Sequence, residues 1–203
     1  MQDAVKPMTD EEMTPDGNPQ GKGLVPVLDA LNALRPFQPE AKTGEQILRE
    51  FCLSTLVLSA RFDFRAVPGK TYYLYRISES WNLSLIAPEE WGARLPGPYV
   101  AQCELAKDMT WALVLAPDVA DDTRLLDALE THLEGFIGRI SEVGRLEDAL
   151  PVYESGLPYQ QRMMATALSS SLQTSLLLSG LKGASGTQLL QQGNARQLFL
   201  APS

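Results

Sequence analysis

Apolar positions along the chain change their repeat twice. Between Thr43 and Ala60, Ile47, Leu48, Phe51, Leu56 and Leu58 recur at helical spacing, and Cys52 and Leu53 widen that face until the segment is apolar nearly all round. A helix of this kind belongs at the centre of a fold. Thr43 followed three residues later by Gln46 has capping-box spacing, which predicts a helix opening just after Thr43. The period then drops to two: Phe62 and Phe64 alternate with Asp63 and Arg65, the rhythm of a strand. After the Pro68-Gly69 turn, the runs Thr71–Ile77 and Trp81–Ala87 are rich in β-branched and aromatic residues. Only Ser78-Glu79-Ser80 separates them, so an antiparallel hairpin is predicted. Its alternation places Tyr73, Tyr75 and Ile77 on one face and Tyr72, Leu74 and Arg76 on the other. Tyr99–Leu105 and Met109–Leu115 supply two further strands, the second stopped by Pro117.

From Asp121 the helical period returns, with Leu125, Leu126, Leu129, Leu133, Phe136, Ile137, Ile140 and Val143 on one stripe and Asp121 or Asp122 as cap. Pro158–Leu181 is a last long helix carrying Met164, Leu168, Leu172, Leu176 and Leu181 among its apolar positions. Near the start, Val25–Leu34 reads as a short helix ended by Pro36. The reading is therefore an α+β fold: an antiparallel sheet of four to five strands packed against helices, with a C-terminal helical pair. Residues 1–23, dense in Pro and Gly, are expected to be a flexible tail. Residues 24–182 form a single domain, helix-rich from 121, and 183–203 a C-terminal tail ending in Gln197–Leu200 (a short strand or a loose end).

Composition narrows the function classes. A formal net charge of -8 and a pI near 4.7 disfavour nucleic-acid binding through a broad basic face and adhesion to anionic lipid. The closest basic pair, Arg61 and Arg65, straddles Asp63. Cys52 and Cys103 are too few for a disulfide framework and wrongly spaced for a metal, so they read as small hydrophobes. Met1–Thr14 has no basic or apolar region of a secretory signal, so a cytoplasmic location is expected. Met163–Leu181 carries no charge and is long enough to span a bilayer. Its Ser, Thr and Gln residues favour a buried helix or an oligomer seam between copies over a membrane span.

Two groups of residues carry candidate chemistry. Glu89, Glu90, Glu104 and Asp108 place carboxylates near the sheet, where paired acids do acid–base work if one is desolvated. Against this, Glu89 and Glu90 fall in the first turn of a Pro88–Gly92 helical turn, where acids favour the helix dipole, and Asp108 suits a turn cap. Tyr72, Tyr73, Tyr75, Trp81, Trp91 and Trp111 concentrate aromatics in a short stretch. Half of them can face outward and bind a partner, and the other half build the core. Gly17–Gly23 fails as a phosphate loop because Gly23, not Ser or Thr, follows Lys22. His132, the only histidine, has no companions for a triad or a common metal site.

At the hairpin, Gly69-Lys70-Thr71-Tyr72-Tyr73-Leu74-Tyr75, then Leu83-Ser84-Leu85-Ile86-Ala87-Pro88-Glu89-Glu90-Trp91-Gly92, then Leu105-Ala106-Lys107-Asp108-Met109-Thr110-Trp111 form an ordered series. It resembles the uncharacterised family known as domain of unknown function 2452, and Asn18-Pro19-Gln20-Gly21 resembles that family's opening motif. The resemblance spans roughly Asn18 to Trp111, a little under half of the chain, and finds no counterpart after Asp121. It implies a shared fold element and no activity.

The functional expectation is thus a non-enzymatic interaction or ligand-binding module acting through Tyr73, Tyr75, Trp91 and Trp111, with a protein or a small molecule as partner. The alternative is a small carboxylate-dependent enzyme or nucleotide-type ligand binder centred on Glu89, Glu90 and Asp108. Neither reading calls for a cofactor or metal.

Overall fold

Thr43 caps the first helix as its spacing predicts. In the computed structural model, which describes residues 39–152 and 156–191, helix α1 spans Gly44–Ser59. The Gln46 backbone N–H donates to Thr43 Oγ1, and the Thr43 N–H donates to Gln46 Oε1 at 2.9 Å. Nearly every residue from Ile47 to Leu58 is buried, so the all-round apolar face does mark a central helix. The expected N-terminal tail, the Val25–Leu34 helix and the Gln197–Leu200 end lie outside the described residues. Those that are described fall in one compact unit, Leu34–Ser203.

Four antiparallel strands form one sheet in the order β2-β1-β3-β4. They are β1 (Thr71–Ile77), β2 (Ser80–Ser84), β3 (Tyr99–Leu105) and β4 (Trp111–Leu115). A fifth strand is absent among the described residues: the Phe62–Arg65 alternation yields only an isolated bridge from Arg61 to Asn82. Pro68-Gly69 follows too soon for a ladder to extend. The hairpin turn is tighter than expected. Ser78 and Glu79 both take left-handed φ, 46° and 61°, where a two-residue turn ordinarily uses Asn-Gly.

Register decides the two faces. Tyr72 pairs with Cys103 and Cys103 with Leu113; Leu74 pairs with Leu83 and Ala101. This inner face packs on α1 in one apolar cluster that also holds Trp111. Tyr72 meets Trp111 edge-on at 5.5 Å and stacks on Phe64 at 5.4 Å. The edge strand β4 is tied to the helix directly, since the Trp111 N–H donates to the buried Ser54 hydroxyl at 2.9 Å.

Helix α2 is the single turn Pro88–Trp91, followed by a 3₁₀ turn over Gly92–Arg94. Helix α3 runs Thr123–Glu142, capped by the Asp122 carboxylate, and buries Leu125, Leu129, Leu133, Phe136 and Ile140 of the predicted stripe, while Leu126, Ile137 and Val143 are only partly buried. Helix α4 (Tyr159–Leu178) is fastened to α1 through Gln161, whose side-chain amide donates to the Ala60 carbonyl at 2.5 Å. Its Ser169, Ser171 and Ser175 are buried within the chain. No helix among the described residues is long and apolar enough to cross a membrane.

The chain does not leave the fold at Gly183. Helix α5 (Gly186–Leu190) opens with a second capping box, Ser185 with Gln188, and buries Leu189. Gly186 is needed there, because a Cβ at that position would lie 2.3 Å from the Ile140 carbonyl oxygen.

Candidate functional site

Two places gather the residues singled out by sequence, on opposite faces of the sheet. The first is the β3–β4 turn. Met109 holds a left-handed φ of 68° and buries its side chain, which closes the turn tightly enough for Ala106 N–H to reach the Thr110 carbonyl at 2.9 Å. Asp108 Oδ1 accepts the Thr110 backbone N–H at 3.2 Å and its hydroxyl at 2.7 Å. Its other oxygen receives Lys42 Nζ at 2.5 Å, and Lys42 also reaches Glu50 on α1 at 2.6 Å. The Lys42 backbone N–H donates to Ser179 at the end of α4. One lysine therefore joins the segment before α1, α1 itself and the β3–β4 turn, beside an open cleft of about 860 Å³.

Electrostatics give the three groups different standings. Burial opposes the Lys42 ammonium, yet hydrogen bonds from it to Asp108 and Glu50 hold its pKa above the ordinary lysine value. Burial likewise pushes the Asp108 carboxyl up, but donation by Lys42 and Thr110 prevails and holds it below the usual aspartate range. For Glu50 burial wins over Lys42, and its pKa is raised. Asp108 is thus an ionised, donor-saturated anchor, a poor general base. Within Asp108-Met109-Thr110-Trp111, then, Asp108 anchors the turn, Met109 bends it, Thr110 closes its hydrogen bonds and Trp111 fills the core.

The second place is the outer face. Ser84, Tyr73, Gln102 and Val114 form one row across all four strands. Tyr73 is half-buried, Gln102 exposed, and Val114 is 59 % exposed. Toward the hairpin end this face closes over. A bulge between Leu74 and Tyr75 shifts the register so that Tyr75 pairs with Tyr99, their rings 5.7 Å apart. Tyr75 is fully buried and donates its hydroxyl to the Ile86 carbonyl at 2.9 Å. Burial pushes the Tyr75 and Tyr99 phenols up to about 12. The nearby Trp91 indole N–H works against this at Tyr75, although that nitrogen is shielded from solvent without an aligned acceptor among the described residues. Gly92, with φ of 55°, turns the chain away immediately after Trp91. Beside Trp91 a groove of about 440 Å³ is lined by Tyr75, Ile77, Pro96 and Phe62.

The sequence-predicted residues are distributed accordingly. Tyr73, Tyr75 and Trp91 share the outer face, with Tyr75 beneath its surface. Trp111 does not join them: it is 1 % exposed and belongs to the inner core, because the β4 register pairs it with Leu105. Glu89 and Glu90 are exposed in the first turn of α2, and Asp108 is engaged by Lys42 and Thr110, so the structure does not assemble these three acids into one site. The sequence pattern does not point to Lys42, Glu50 or Tyr99. Lys42 and Glu50 are joined to Asp108 only by tertiary folding, whereas Tyr99 stands in a predicted strand and the bulge alone brings it to Tyr75.

Elsewhere, Cys52 and Cys103 are buried free thiols, with burial pushing Cys52 up to about 12. His132 lies half-buried with Nε2 at 3.3 Å from both the Cys52 carbonyl and Thr55 Oγ1, and burial lowers its pKa. No group of His, Cys, Asp and Glu among the described residues is arranged to hold a metal.

Residues 32–129 match the model of a family described as protein of unknown function, DUF2452. The matched span contains α1, the whole sheet and the first part of α3; it begins after Asn18–Gly21 and extends beyond Trp111. No solved structure matches the chain.

Proposed function

We propose that this chain, whose residues 32–129 match the DUF2452 family model, is a non-enzymatic module that binds a partner protein on the outer face of its sheet. The observation behind this reading is the open row from Ser84 to Val114 beside a ready-made groove at Trp91. A sheet face with Tyr73 half-covered and Val114 largely exposed leaves apolar area in water that a partner removes on binding. Leu85, Ile86 and Leu95, all exposed near Trp91, extend it. The face is pleated and shallow, which suits a protein surface, and the groove accepts one apolar anchor side chain from it. The two free thiols are consistent with a reducing, cytoplasmic setting.

Tyr73→Ser combined with Val114→Glu tests the reading, since both side chains stand on the outer face and neither fills the inner core. The wild-type chain, immobilised and exposed to extract from its own host, should retain a discrete partner that the double variant loses while its melting temperature stays unchanged. Retention of the same partner by the folded double variant contradicts the proposal.

A further inference from the structure

Three arginines line a single cleft of this acidic chain. Between the hairpin end and the N-terminal half of α3 lies a cleft of about 770 Å³ whose walls include Arg61, Arg76, Arg124 and Trp81. Arg61 is held in position through its backbone, which exchanges hydrogen bonds with Trp81 and Leu83 on β2. The Arg76 guanidinium carbon lies over the Trp81 ring, 4.4 Å from its centroid, a cation–π contact that holds the side chain against β2. Arg124 enters from the first turn of α3. Arg61 and Arg124 make no salt bridge among the described residues.

Two acids line the same cleft, Glu79 and Asp127. Glu79 is the informative one. It sits on the strained hairpin turn, its side chain is 91 % exposed, and its carboxylate meets Arg76 Nη2 at 3.2 Å. An ion pair so open to water is weak, and its carboxylate occupies the place an external oxyanion would take. Arg76 Nε meanwhile is buried with no hydrogen-bond partner among the described residues, so this guanidinium is under-satisfied.

We propose that this cleft binds a phosphate monoester carried on a small organic body, with Glu79 occupying the phosphate position in the free protein. Three guanidinium forks suit a tetrahedral oxyanion, because each can donate two parallel N–H bonds to it. The volume exceeds that of a lone phosphate and falls in the range of small-molecule sites. The chain's overall negative charge does not oppose this. At physiological ionic strength, charges beyond a Debye length of about 8 Å are largely screened, and the local balance of three arginines against two acids governs.

Calorimetric titration of the full chain tests it with three probes: ribose 5-phosphate, ribose and inorganic phosphate. Ribose 5-phosphate should bind, inorganic phosphate more weakly, and ribose not at all. Arg61→Ala and Arg124→Ala should each weaken ribose 5-phosphate roughly tenfold, the loss of one charge-assisted pair. Glu79→Gln should tighten it several-fold, an effect of opposite sign that loss of structure cannot imitate. Absence of binding at about 10 mM ligand, a Kd in the range where contacts are negligible, would overturn the proposal. So would undiminished affinity in Arg61→Ala/Arg124→Ala, or no gain in Glu79→Gln.

Discussion

Replacing Lys42 by Met removes the cation that two half-buried carboxylates share. The structure sets the magnitude. The side chains of Lys42, Glu50 and Asp108 are 15 %, 26 % and 14 % exposed, so the cluster lies between a surface pair, worth 0 to about 1 kcal/mol, and a fully buried pair, whose disruption costs about 3–5 kcal/mol. A loss of about 2 kcal/mol follows, or roughly 4–8 °C in Tm for a chain of this size. The pH dependence separates this from loss of packing. In the wild type the Asp108 contribution is present above its ordinary pKa of 3.8 and is lost as pH falls through its lowered folded value. The Lys42 contribution is present below 10.5 and is lost as pH rises through its raised value. Glu50, raised above 4.5, offsets part of this once pH exceeds that value. Without Lys42, Glu50 and Asp108 repel each other while desolvated, and protonation relieves them. Urea unfolding should therefore show a difference of about 2 kcal/mol at pH 7 that shrinks by half or more near pH 4.5. A Lys42→Met variant within about 0.5 kcal/mol of wild type at pH 7, or a deficit that does not change with pH, would refute the reasoning.

Three further variants probe the frame that holds the sites. Relieving both left-handed residues of the hairpin turn with Ser78→Asn and Glu79→Gly should raise stability by about 1 kcal/mol or more, read from chemical denaturation. Gly186→Ala forces a methyl group against the Ile140 carbonyl and should lower Tm by several degrees, with hydrogen exchange accelerating first in α5. The Ser171 hydroxyl is buried with no hydrogen-bond partner among the described residues, so Ser171→Ala should stabilise the fold by about 1 kcal/mol in a thermal melt.

Local periodicity determines what is legible in the chain before folding. The Thr43 capping box, the all-round apolar α1, the hairpin faces and the α3 stripe all arise from residues close in sequence. The features that escape it mostly have a non-local cause. The Tyr75–Tyr99 pair depends on a bulge, where one extra residue rotates a strand and no period records it. Trp111 resembles a further outward aromatic until β4 pairs with β3 in a register that turns its ring inward against Tyr72. Asp108 groups with Glu89 and Glu90 along the chain, whereas folding delivers it to Lys42, 66 residues away. The α5 capping box, Ser185 with Gln188, is the exception: its signal is local, but Gly183 and Gly186 give the segment the look of a tail.

The segments that carry the family resemblance gain a physical meaning from this. Asp-Met-Thr-Trp builds a turn and anchors it to α1, and Pro-Glu-Glu-Trp-Gly sets Trp91 over Tyr75. Both organise the sheet, and what they leave open is its outer face.

The most direct test of that face is site-specific photocrosslinking in living cells of the native host, with a benzophenone amino acid at position 73 and, as control, at exposed position 134 on α3. A discrete adduct from position 73 that is absent from position 134 is the predicted result. No adduct at 73, or the same adducts at both positions, would contradict a partner-binding role for the outer face.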